Sequence, residues 1–593
     1  MKRCLPGETA NGTGRFRLYH LFLLLAALAA VLWMYWGSFR SYFIQDDYGW
    51  LVLSRFQSFG DWAECFIKFN PAGTYRPLSQ ETFFWVAQKL FGMWAAGFHI
   101  IIIGTHIIVT FLLYKLLRWF VDTPAAIAGA FVYAISSAHV ISLFWISAFP
   151  ELLAMVFLLA SVLLFIRFDR MGKRGFYILS LLAMVLGIMS KESILTLPLI
   201  LAAYCLLWSR SRLAYTMPYF ALSGIYVFLR IVGQVRWSPY DLSLGKQTLQ
   251  AFMAYLSWMG GFSSALIQSG FGLKLPEAYL WFAIGFIVFL ALLVLHSYSK
   301  RTAVFGLLWM AFALQPVLYF SNHSYPYYLA PALSGFSLVL ASALSGSPES
   351  KKLRRHALSI ALVCAFFWLS YVTVKAEGNW WNQRAADRQE FIGQLLTIDR
   401  KVPEGGTAYI LGFQQSEFEK LENGGVFKAF NLSRHKFKFL LPELDPDLPD
   451  ALHRLTAGGR MDGVYCFVYS AGQMVDRTEL FRRDPFKLVP HSTVRFDEVP
   501  GVTIEVKPSI VIRGKDTFYL RIVNLNAAAV DLLYSIDGQI MPPLLQWRLD
   551  EKNSASVFAD MTTPAGEYRF LAVRNSIAEN APWIRLDARL TVR

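Results

Sequence analysis

The sequence has few charged residues for its length. Of its 593 residues only 16% are charged, while 55% are hydrophobic. Soluble domains contain about 25% charged residues, and the apolar residues here fall in long runs joined by short charged loops. These features exclude a single soluble enzyme, a disordered chain and a fibrous repeat. They predict a polytopic α-helical membrane protein.

Cysteine is also scarce, and its spacing suggests no site. The five cysteines form no CxxC pair and no metal-ligand spacing, which excludes a recognisable zinc site or disulfide framework. The net charge is +15, from 56 basic and 41 acidic residues. In a membrane protein such an excess is typical of cytoplasmic loops, so nucleic acid is not expected as a partner.

The apolar runs predict about eleven membrane spans. Basic loops such as 167–174 and 351–355 place the N-terminus in the cytoplasm and the C-terminal region outside it. The stretch 249–272 is predicted to be interfacial or re-entrant, because counting it as a span would put Lys300 and Arg301 outside. The predicted spans are 18–36, 97–114, 124–141, 150–166, 175–189, 193–208, 214–232, 278–296, 303–320, 327–345 and 357–375.

The composition changes near residue 379. The runs AYILGF and GVYCFVYS predict buried strands, and FIGQLLTIDRKV predicts a helix. From residue 501 onward, short strand-like segments alternate with turn signals, which favours an immunoglobulin-like β-sandwich. The predicted domains are therefore a transmembrane domain at 1–378, an extracytoplasmic α/β domain at 379–500 and an extracytoplasmic β-sandwich at 501–593.

Two adjacent carboxylates follow the first predicted span. Asp46 and Asp47 lie in SYFIQDDYGWLVLSRF, among aromatic residues that place them at the membrane surface. Adjacent carboxylates point in different directions, so one can act as a general base while the other orients the site. The pattern alone does not separate them. A plain polar loop is the alternative interpretation.

Further polar residues fall near the predicted outer ends of later spans. Arg76, in TYRPLSQETF, is a candidate phosphate ligand or a side chain that reaches the lipid headgroups. His139 and Glu151 flank the outer turn between spans three and four, where a structural histidine and a helix cap are the alternatives.

The tightest predicted turn contains Lys191 and Glu192, in MSKES. Only 16 residues separate Lys191 from Arg174, fewer than the about 20 that a span needs, which places both side chains below the outer interface. Ionisable residues within a membrane are functional candidates. His323 lies near Tyr325, Tyr327 and Tyr328, for which an aromatic belt is the alternative. All eight candidates fall on one predicted face, as expected of a polar site for a lipid-borne substrate.

Five segments follow one another along the chain: DD, YRPLSQETF, AISSAHVISLFWISAFPELLA, LGIMSKESILTLPLIL and YYLAP. In this order they resemble the GT-C glycosyltransferases, and most closely their O-mannosyltransferase-like branch, which includes the protein mannosyltransferases and the tetratricopeptide-associated transmembrane enzymes. The resemblance covers about 40–335. The chain departs from that pattern at Tyr75, which replaces a histidine, at Ser136-Ser137, which replace His-Pro, and at YPYYLAP, which lacks an arginine.

The resemblance implies a GT-C-like fold and an inverting transfer of sugar from a polyprenyl-phosphate carrier to a hydroxyl of a protein, lipid or glycan, outside a bacterial inner membrane. Asp46 or Asp47 would be the base, and Arg76 and Lys191 would neutralise the leaving phosphate. His139, Glu151, Glu192 and His323 would bind or orient substrate, with no metal and no cofactor besides the lipid-linked donor. The alternative is a transporter or flippase of lipid-linked glycans, which is expected to show inverted repeats and midplane charges.

Overall fold

The chain forms two compact units in the computed structural model. The first contains Met1–Phe43, Phe56–Lys68 and Tyr75–Ala385, and the second contains Ile44–Arg55, Phe69–Thr74 and Ala386–Arg593. The structure describes residues 18–70, 74–232, 245–262, 277–320, 323–346, 352–414, 417–418, 420–421, 425–432, 436–441, 448–458, 461–489, 496–497, 499–511, 517–525, 527, 529–536, 539–549, 553–558, 566–576 and 583–593.

The described part of the first unit is helical. Its longest helix, α16, extends beyond Ala385 into the second unit. The α-helices are α1 (Leu18–Tyr35), α3 (Phe59–Glu64), α4 (Phe83–Phe91), α5 (Ala95–Leu117), α6 (Thr123–Ile135), α7 (Val140–Phe144), α8 (Phe149–Met171), α9 (Arg174–Ile188), α10 (Leu197–Trp208), α11 (Met217–Val232), α12 (Lys246–Met259), α13 (Glu277–His296), α14 (Lys300–Leu314), α15 (Ala330–Leu344) and α16 (Lys352–Lys401); α2 (Asp47–Leu53) belongs to the second unit.

Each of the eleven predicted spans coincides with one of these helices or, at α6–α7, with a bent pair. Within the described residues, six helices are long and apolar enough to cross a membrane, or seven if the bent pair is one span. The polytopic helical fold class is confirmed, while the count of eleven stays a prediction. The stretch 249–272 was predicted to be interfacial or re-entrant. Within it, α12 ends at Met259, and residues 263–276 lie outside the described residues.

Small residues let neighbouring helices of the first unit approach closely. A Cβ added at Gly306 of α14 would lie 2.6 Å from the carbonyl oxygen of Gly335 on α15, so neither position accepts a side chain without movement. Between α8 and α9, Ser161 Oγ donates to the carbonyl of Ser180 at 2.8 Å. Such small and hydroxyl-bearing contacts are typical of helix packing in membranes, and they hold α8 against α9 and α14 against α15.

The second unit contains an α/β region. Its four-stranded sheet has the order β2-β1-β3-β4, in which β1 pairs in parallel with β2 and β3, and β4 pairs antiparallel with β3. The strands predicted from AYILGF and GVYCFVYS are β1 and β3, and the helix predicted at FIGQLLTIDRKV is the end of α16. The elements are β1 (Thr407–Leu411), α17 (Gly425–Ala429), β2 (Phe437–Phe439), α18 (Leu448–Ala457), β3 (Val464–Ser470), β4 (Gln473–Asp476) and α19 (Thr478–Arg483).

The C-terminal region is a β-sandwich, as predicted. One sheet has the order β10-β9-β12-β13-β5, with β7 also on β13, and the other has the order β11-β8-β6. Phe518 and Leu520 of β8 share one apolar core with Leu532 of β9 and Phe570 of β12. The strands are β5 (Phe496–Asp497), β6 (Thr503–Lys507), β7 (Ile510–Val511), β8 (Thr517–Val523), β9 (Ala529–Ile536), β10 (Gln539–Arg548), β11 (Ser554–Phe558), β12 (Gly566–Asn575) and β13 (Trp583–Val592).

Arg55 ties the segment after α2 to the end of α17. Its guanidinium donates to the Lys428 carbonyl at 2.9 Å, to Asn431 Oδ1 at 2.7 Å and to the Ala429 carbonyl. A cation at a helix C-terminus satisfies carbonyls that lack a helical partner.

We expect Arg55→Lys to destabilise the full chain by about 1–2 kcal/mol, because one ammonium cannot reproduce the planar fork of donors. The measurement is the midpoint of thermal unfolding in detergent. Arg569→Lys is the matched control, since Arg569 makes an exposed ion pair with Asp587 at 3.0 Å, and such surface pairs contribute about 0–1 kcal/mol. Equal midpoints for the two variants would contradict the role of Arg55.

Candidate functional site

A buried ion pair lies at the start of α8. Glu151, in the first turn of α8, has a fully buried side chain, and its Oε2 lies 2.9 Å from Nζ of Lys191, whose side chain is 7% exposed. The first turn of α8 is also the place where a helix N-terminus favours a negative charge, so the helix-cap interpretation stays the alternative for Glu151. Glu151 Oε1 has no hydrogen-bond partner within the described part of the chain. A buried carboxylate oxygen in this state is available to a polar ligand.

Aromatic rings surround the ammonium of Lys191. Its Nζ lies 4.5 Å from the ring centroid of Tyr327 and 4.8 Å from that of Tyr328, which is cation–π distance. The hydroxyl of Tyr328 lies 2.8 Å from Nδ1 of His323. The structure therefore brings together four residues in one chain of contacts, Glu151, Lys191, Tyr328 and His323. An aromatic belt does not account for these tyrosines, because they contact a buried charge.

A second cluster is centred on Glu192. Nη2 of Arg76 lies 2.8 Å from Glu192 Oε2, and Nη1 of Arg230 lies 2.9 Å from Oε1. The Tyr226 hydroxyl donates to the same Oε1 at 3.2 Å. Arg230 and Tyr226 are four residues apart on α11, which puts both side chains on one helix face. The carboxylate thus holds two guanidiniums, and the side chain of Arg76 is largely buried.

Local backbone geometry explains how Arg76 and Glu192 meet. Pro77–Thr82 is a π-helical turn, a feature often found at functional sites. The Leu78 amide donates to the Met189 carbonyl at 3.1 Å, and the Ser79 hydroxyl donates to the Ser190 carbonyl at 2.5 Å. These two bonds hold the 76–82 turn against the turn between α9 and α10. Arg76 and Glu192 therefore face each other although they are far apart in sequence.

His139 lies in a buried aromatic cluster. Its ring centroid is 4.7 Å from that of Tyr133 and 4.8 Å from that of His106. Neither ring nitrogen of His139 makes a hydrogen bond of ordinary geometry within the described residues, and the same holds for the Tyr133 hydroxyl. A structural histidine packed among aromatic rings stays the alternative to a ligand-binding one. Buried polar groups of this kind usually have a hydrogen-bond partner. This cluster can therefore donate hydrogen bonds to a bound molecule or accept them from it.

The two aspartates differ in their surroundings. Asp47 is fully buried, and its Oδ2 accepts a hydrogen bond from the Ile44 amide at 2.9 Å. Asp46 is exposed at the beginning of α2. Gln45, immediately before it, has a φ of 50°, a left-handed conformation that costs a non-glycine residue about 1 kcal/mol or more. Asp47 therefore stabilises the turn through its hydrogen bond with Ile44, whereas Asp46 is the solvent-exposed carboxylate. Both belong to the second unit, whereas the other six candidates belong to the first.

The clusters of the first unit carry a net positive charge. Arg76, Lys191 and Arg230 supply three positive charges, and Glu151 and Glu192 supply two negative charges, which leaves one positive charge. Cations held by carboxylates, of which Arg76 and Lys191 are largely buried, suit a phosphate group, to which a guanidinium can donate two parallel hydrogen bonds. Among the described residues, no group of three or more His, Cys, Asp or Glu side chains could hold a metal ion.

Sequence reasoning missed three contributors. Arg230 could have been recognised as a candidate, because it is an ionisable residue within a predicted span. Tyr226 lies one helical turn before it on α11. Tyr133 has no such signal, since its importance comes only from its burial beside His139. The separate pairings of Glu151 with Lys191 and of Glu192 with the arginines were likewise not predicted.

No protein-family model and no curated protein matches the sequence. The solved structures that are similar in part include the following three. ArnT from Cupriavidus metallidurans bound to undecaprenyl phosphate is 13% identical (TM-score 0.41; 80% of this chain and 95% of that chain). The arabinofuranosyltransferase AftD from Mycobacteria is 12% identical (TM-score 0.41; 86% and 40%). The Archaeoglobus fulgidus oligosaccharyltransferase, tethered with an acceptor peptide, is 13% identical (TM-score 0.43; 72% and 64%).

Proposed function

We propose that this protein is a membrane glycosyltransferase that moves a sugar from a polyprenyl-phosphate carrier to an acceptor hydroxyl on the outer side of the membrane, with inversion at the anomeric carbon. The observation that carries the proposal is the pair of ionic clusters around Glu151 and Glu192. They combine buried cations, a net positive charge and hydrogen-bonding groups among apolar helices. A lipid-borne phosphate sugar has the matching chemistry of a charged headgroup on an apolar tail.

The proposed reaction assigns one role to each group. The sequence resemblance gives Asp46 the role of the base, which takes the proton from the acceptor hydroxyl while the hydroxyl oxygen attacks the anomeric carbon. The bond between that carbon and the phosphate oxygen breaks, and polyprenyl phosphate leaves. Arg76 and Lys191 stabilise the negative charge that develops on the departing phosphate. The sequence resemblance further suggests a hexose such as mannose as the sugar.

Sugar recognition falls to the partly unpaired polar groups of the first unit. Glu151 Oε1 and the Tyr133 hydroxyl lack hydrogen-bond partners among the described residues, and the ring nitrogens of His139 make no hydrogen bond of ordinary geometry there. Sugar hydroxyls both donate and accept hydrogen bonds, so they satisfy carboxylate, imidazole and phenol groups alike. Glu192 keeps Arg76 in place, while His323 acts through Tyr328 on the surroundings of Lys191.

Binding of the carrier tests the phosphate role without knowledge of the acceptor. We expect Arg76→Ala to weaken binding of undecaprenyl phosphate to the purified protein in nanodiscs by about 10–100-fold, the effect of losing a charge-assisted hydrogen bond. Glu192 keeps its partner Arg230 in this variant, so the fold is expected to survive. Arg301→Ala is the control, because Arg301 is an exposed cation at the start of α14.

Turnover distinguishes transfer from transport. Undecaprenyl phosphate carrying tritiated mannose is reconstituted with the protein and with lipid and glycan acceptors, and both labelled product and released carrier are measured. Transfer that requires Arg76 supports the proposal. If an intact fluorescent lipid-linked sugar were flipped across the membrane of proteoliposomes, with no transfer to any acceptor, the protein would be a flippase and not a glycosyltransferase. Equal carrier binding by Arg76→Ala and Arg301→Ala would overturn the phosphate role.

A further inference from the structure

A separate cavity of about 550 Å³ lies in the first unit between the end of α1 and the middle of α16. One wall comes from 32–40, the other from 374–382, and the ring of Phe144 lies between them. The Ser41 hydroxyl donates to the Phe144 carbonyl at 3.0 Å, which holds α7 against the α1 side. Its volume falls within the range of about 300–1,000 Å³ that is usual for ligand sites.

The lining combines positive charge with amide groups. Arg40 and Lys375 both contribute, with Asn379 and Asn382, and none of the twelve described lining residues is acidic. Asn382 Oδ1 is buried and has no hydrogen-bond partner within the described part of the chain. Two cations without an acid favour an anionic group, and the amides can bind neighbouring hydroxyls.

Two glycines of the lining let neighbouring side chains pack closely against the backbone. A Cβ at Gly378 would lie 2.8 Å from the Phe144 ring, and a Cβ at Gly37 would lie 3.2 Å from Nδ2 of Asn382. A side chain at Gly37 would therefore crowd the amide that faces the cavity. Gly37 and Gly378 therefore allow Phe144 and Asn382 to take up their positions in the lining.

Tryptophans place the cavity at the level of lipid headgroups. Trp33 and Trp36 line it and are 54% and 58% exposed, and the Trp33 ring stacks on Tyr371 with centroids 4.8 Å apart. Exposed tryptophan is typical of the boundary between hydrocarbon and water. Lys375 also lies at the predicted end of the eleventh span, where lipid phosphates are found.

We infer that this cavity binds the headgroup of an anionic phospholipid. Arg40 and Lys375 hold the phosphate, and Asn379 and Asn382 bind the polar group attached to it. The apolar part of the lining, Leu32, Met34 and Val374, receives the beginning of an acyl chain. Basic pockets between membrane helices recognise anionic lipids in this way. The site shares no residue with the clusters around Glu151 and Glu192, and its test needs no turnover.

The test uses the delipidated full chain in detergent, titrated with dioleoyl phosphatidylglycerol and followed by native mass spectrometry. We expect one tightly bound lipid, and we expect Arg40→Gln with Lys375→Gln to weaken its Kd about tenfold or more. Arg384→Gln is the control, since Arg384 is an exposed cation further along α16 that stacks on Trp380 at 4.5 Å. If the double variant unfolds, the two single variants are compared in its place.

The other arms identify the ligand. Dioleoyl phosphatidylcholine and inorganic phosphate are expected to bind much more weakly than phosphatidylglycerol, because the first lacks net charge and the second lacks the lipid. Equal Kd values for phosphatidylglycerol in the wild type and in the charge variants would overturn the inference. Binding of undecaprenyl phosphate alone at this cavity would also overturn it, in favour of a site for the carrier.

Discussion

Asp46→Asn is expected to lower kcat for sugar transfer by about 10²–10⁴-fold, the usual contribution of a general base. The amide keeps the shape of the side chain but cannot take the proton of the acceptor hydroxyl. Because Asp46 is exposed, the midpoint of thermal unfolding is expected to stay close to that of the wild type. The measurement pairs initial rates at saturating donor with an unfolding curve of the same preparation.

Asp47→Asn is the matched control one position along the chain. Asp47 is fully buried and accepts a hydrogen bond from the Ile44 amide at 2.9 Å. Loss of its charge is therefore expected to weaken the turn before α2 by about 1 kcal/mol. We expect a lower unfolding midpoint and a smaller fall in kcat than for Asp46→Asn. A larger fall in kcat for Asp47→Asn, at unchanged stability, would assign the base to Asp47 instead. Unchanged turnover in both variants would show that neither is the base.

The helices could be predicted because a membrane fixes their length. A span must cover about 30 Å of hydrocarbon, so an apolar run of suitable length marks a helix wherever it occurs. The end of α16 shows the limit of this argument. Residues 357–375 and 391–402 were predicted as separate helices, but the structure has one helix, Lys352–Lys401. No proline interrupts the intervening residues, and periodicity alone does not show that a helix continues between two recognised segments.

The individual polar residues of the site could be predicted, but their partners could not. Glu151 and Lys191 were each identifiable as costly charges near apolar spans. Their pairing depends on how α8 packs beside the turn before α10, which no local pattern encodes. For the same reason Tyr327 and Tyr328 resembled an interfacial belt, whereas they lie beside the Lys191 ammonium.

A local sequence pattern also could not predict which unit of the fold contains the two aspartates. The sequence put 44–55 within the predicted transmembrane domain because apolar spans flank it. In the structure this segment groups with the C-terminal unit, where Arg55 binds the end of α17 and Tyr48 contacts Phe430 with ring centroids 6.4 Å apart. These contacts join residues more than 300 positions apart in the sequence, and only the folded chain shows them.

Lys191→Met is expected to be the most destabilising single change in the candidate site. Glu151 is fully buried and lies 2.9 Å from Lys191, so removal of the ammonium leaves a carboxylate in an apolar environment without its counter-charge. Breaking a buried pair in this way costs about 3–5 kcal/mol. The measurement is the unfolding midpoint of the full chain in detergent, with Lys89→Met as control, because Lys89 is exposed on α4.

The double variant Lys191→Met with Glu151→Gln separates stability from function. Replacement of both members removes the uncompensated charge, so the unfolding midpoint is expected to recover most of the loss seen with Lys191→Met. Transfer is not expected to recover, because the leaving phosphate still lacks its ammonium and the sugar lacks the carboxylate. If the double variant were as unstable as Lys191→Met, the pair would not be energetically coupled. If it transferred sugar at the wild-type rate, Lys191 and Glu151 would serve the fold alone, and the phosphate would have to be held by the arginines around Glu192.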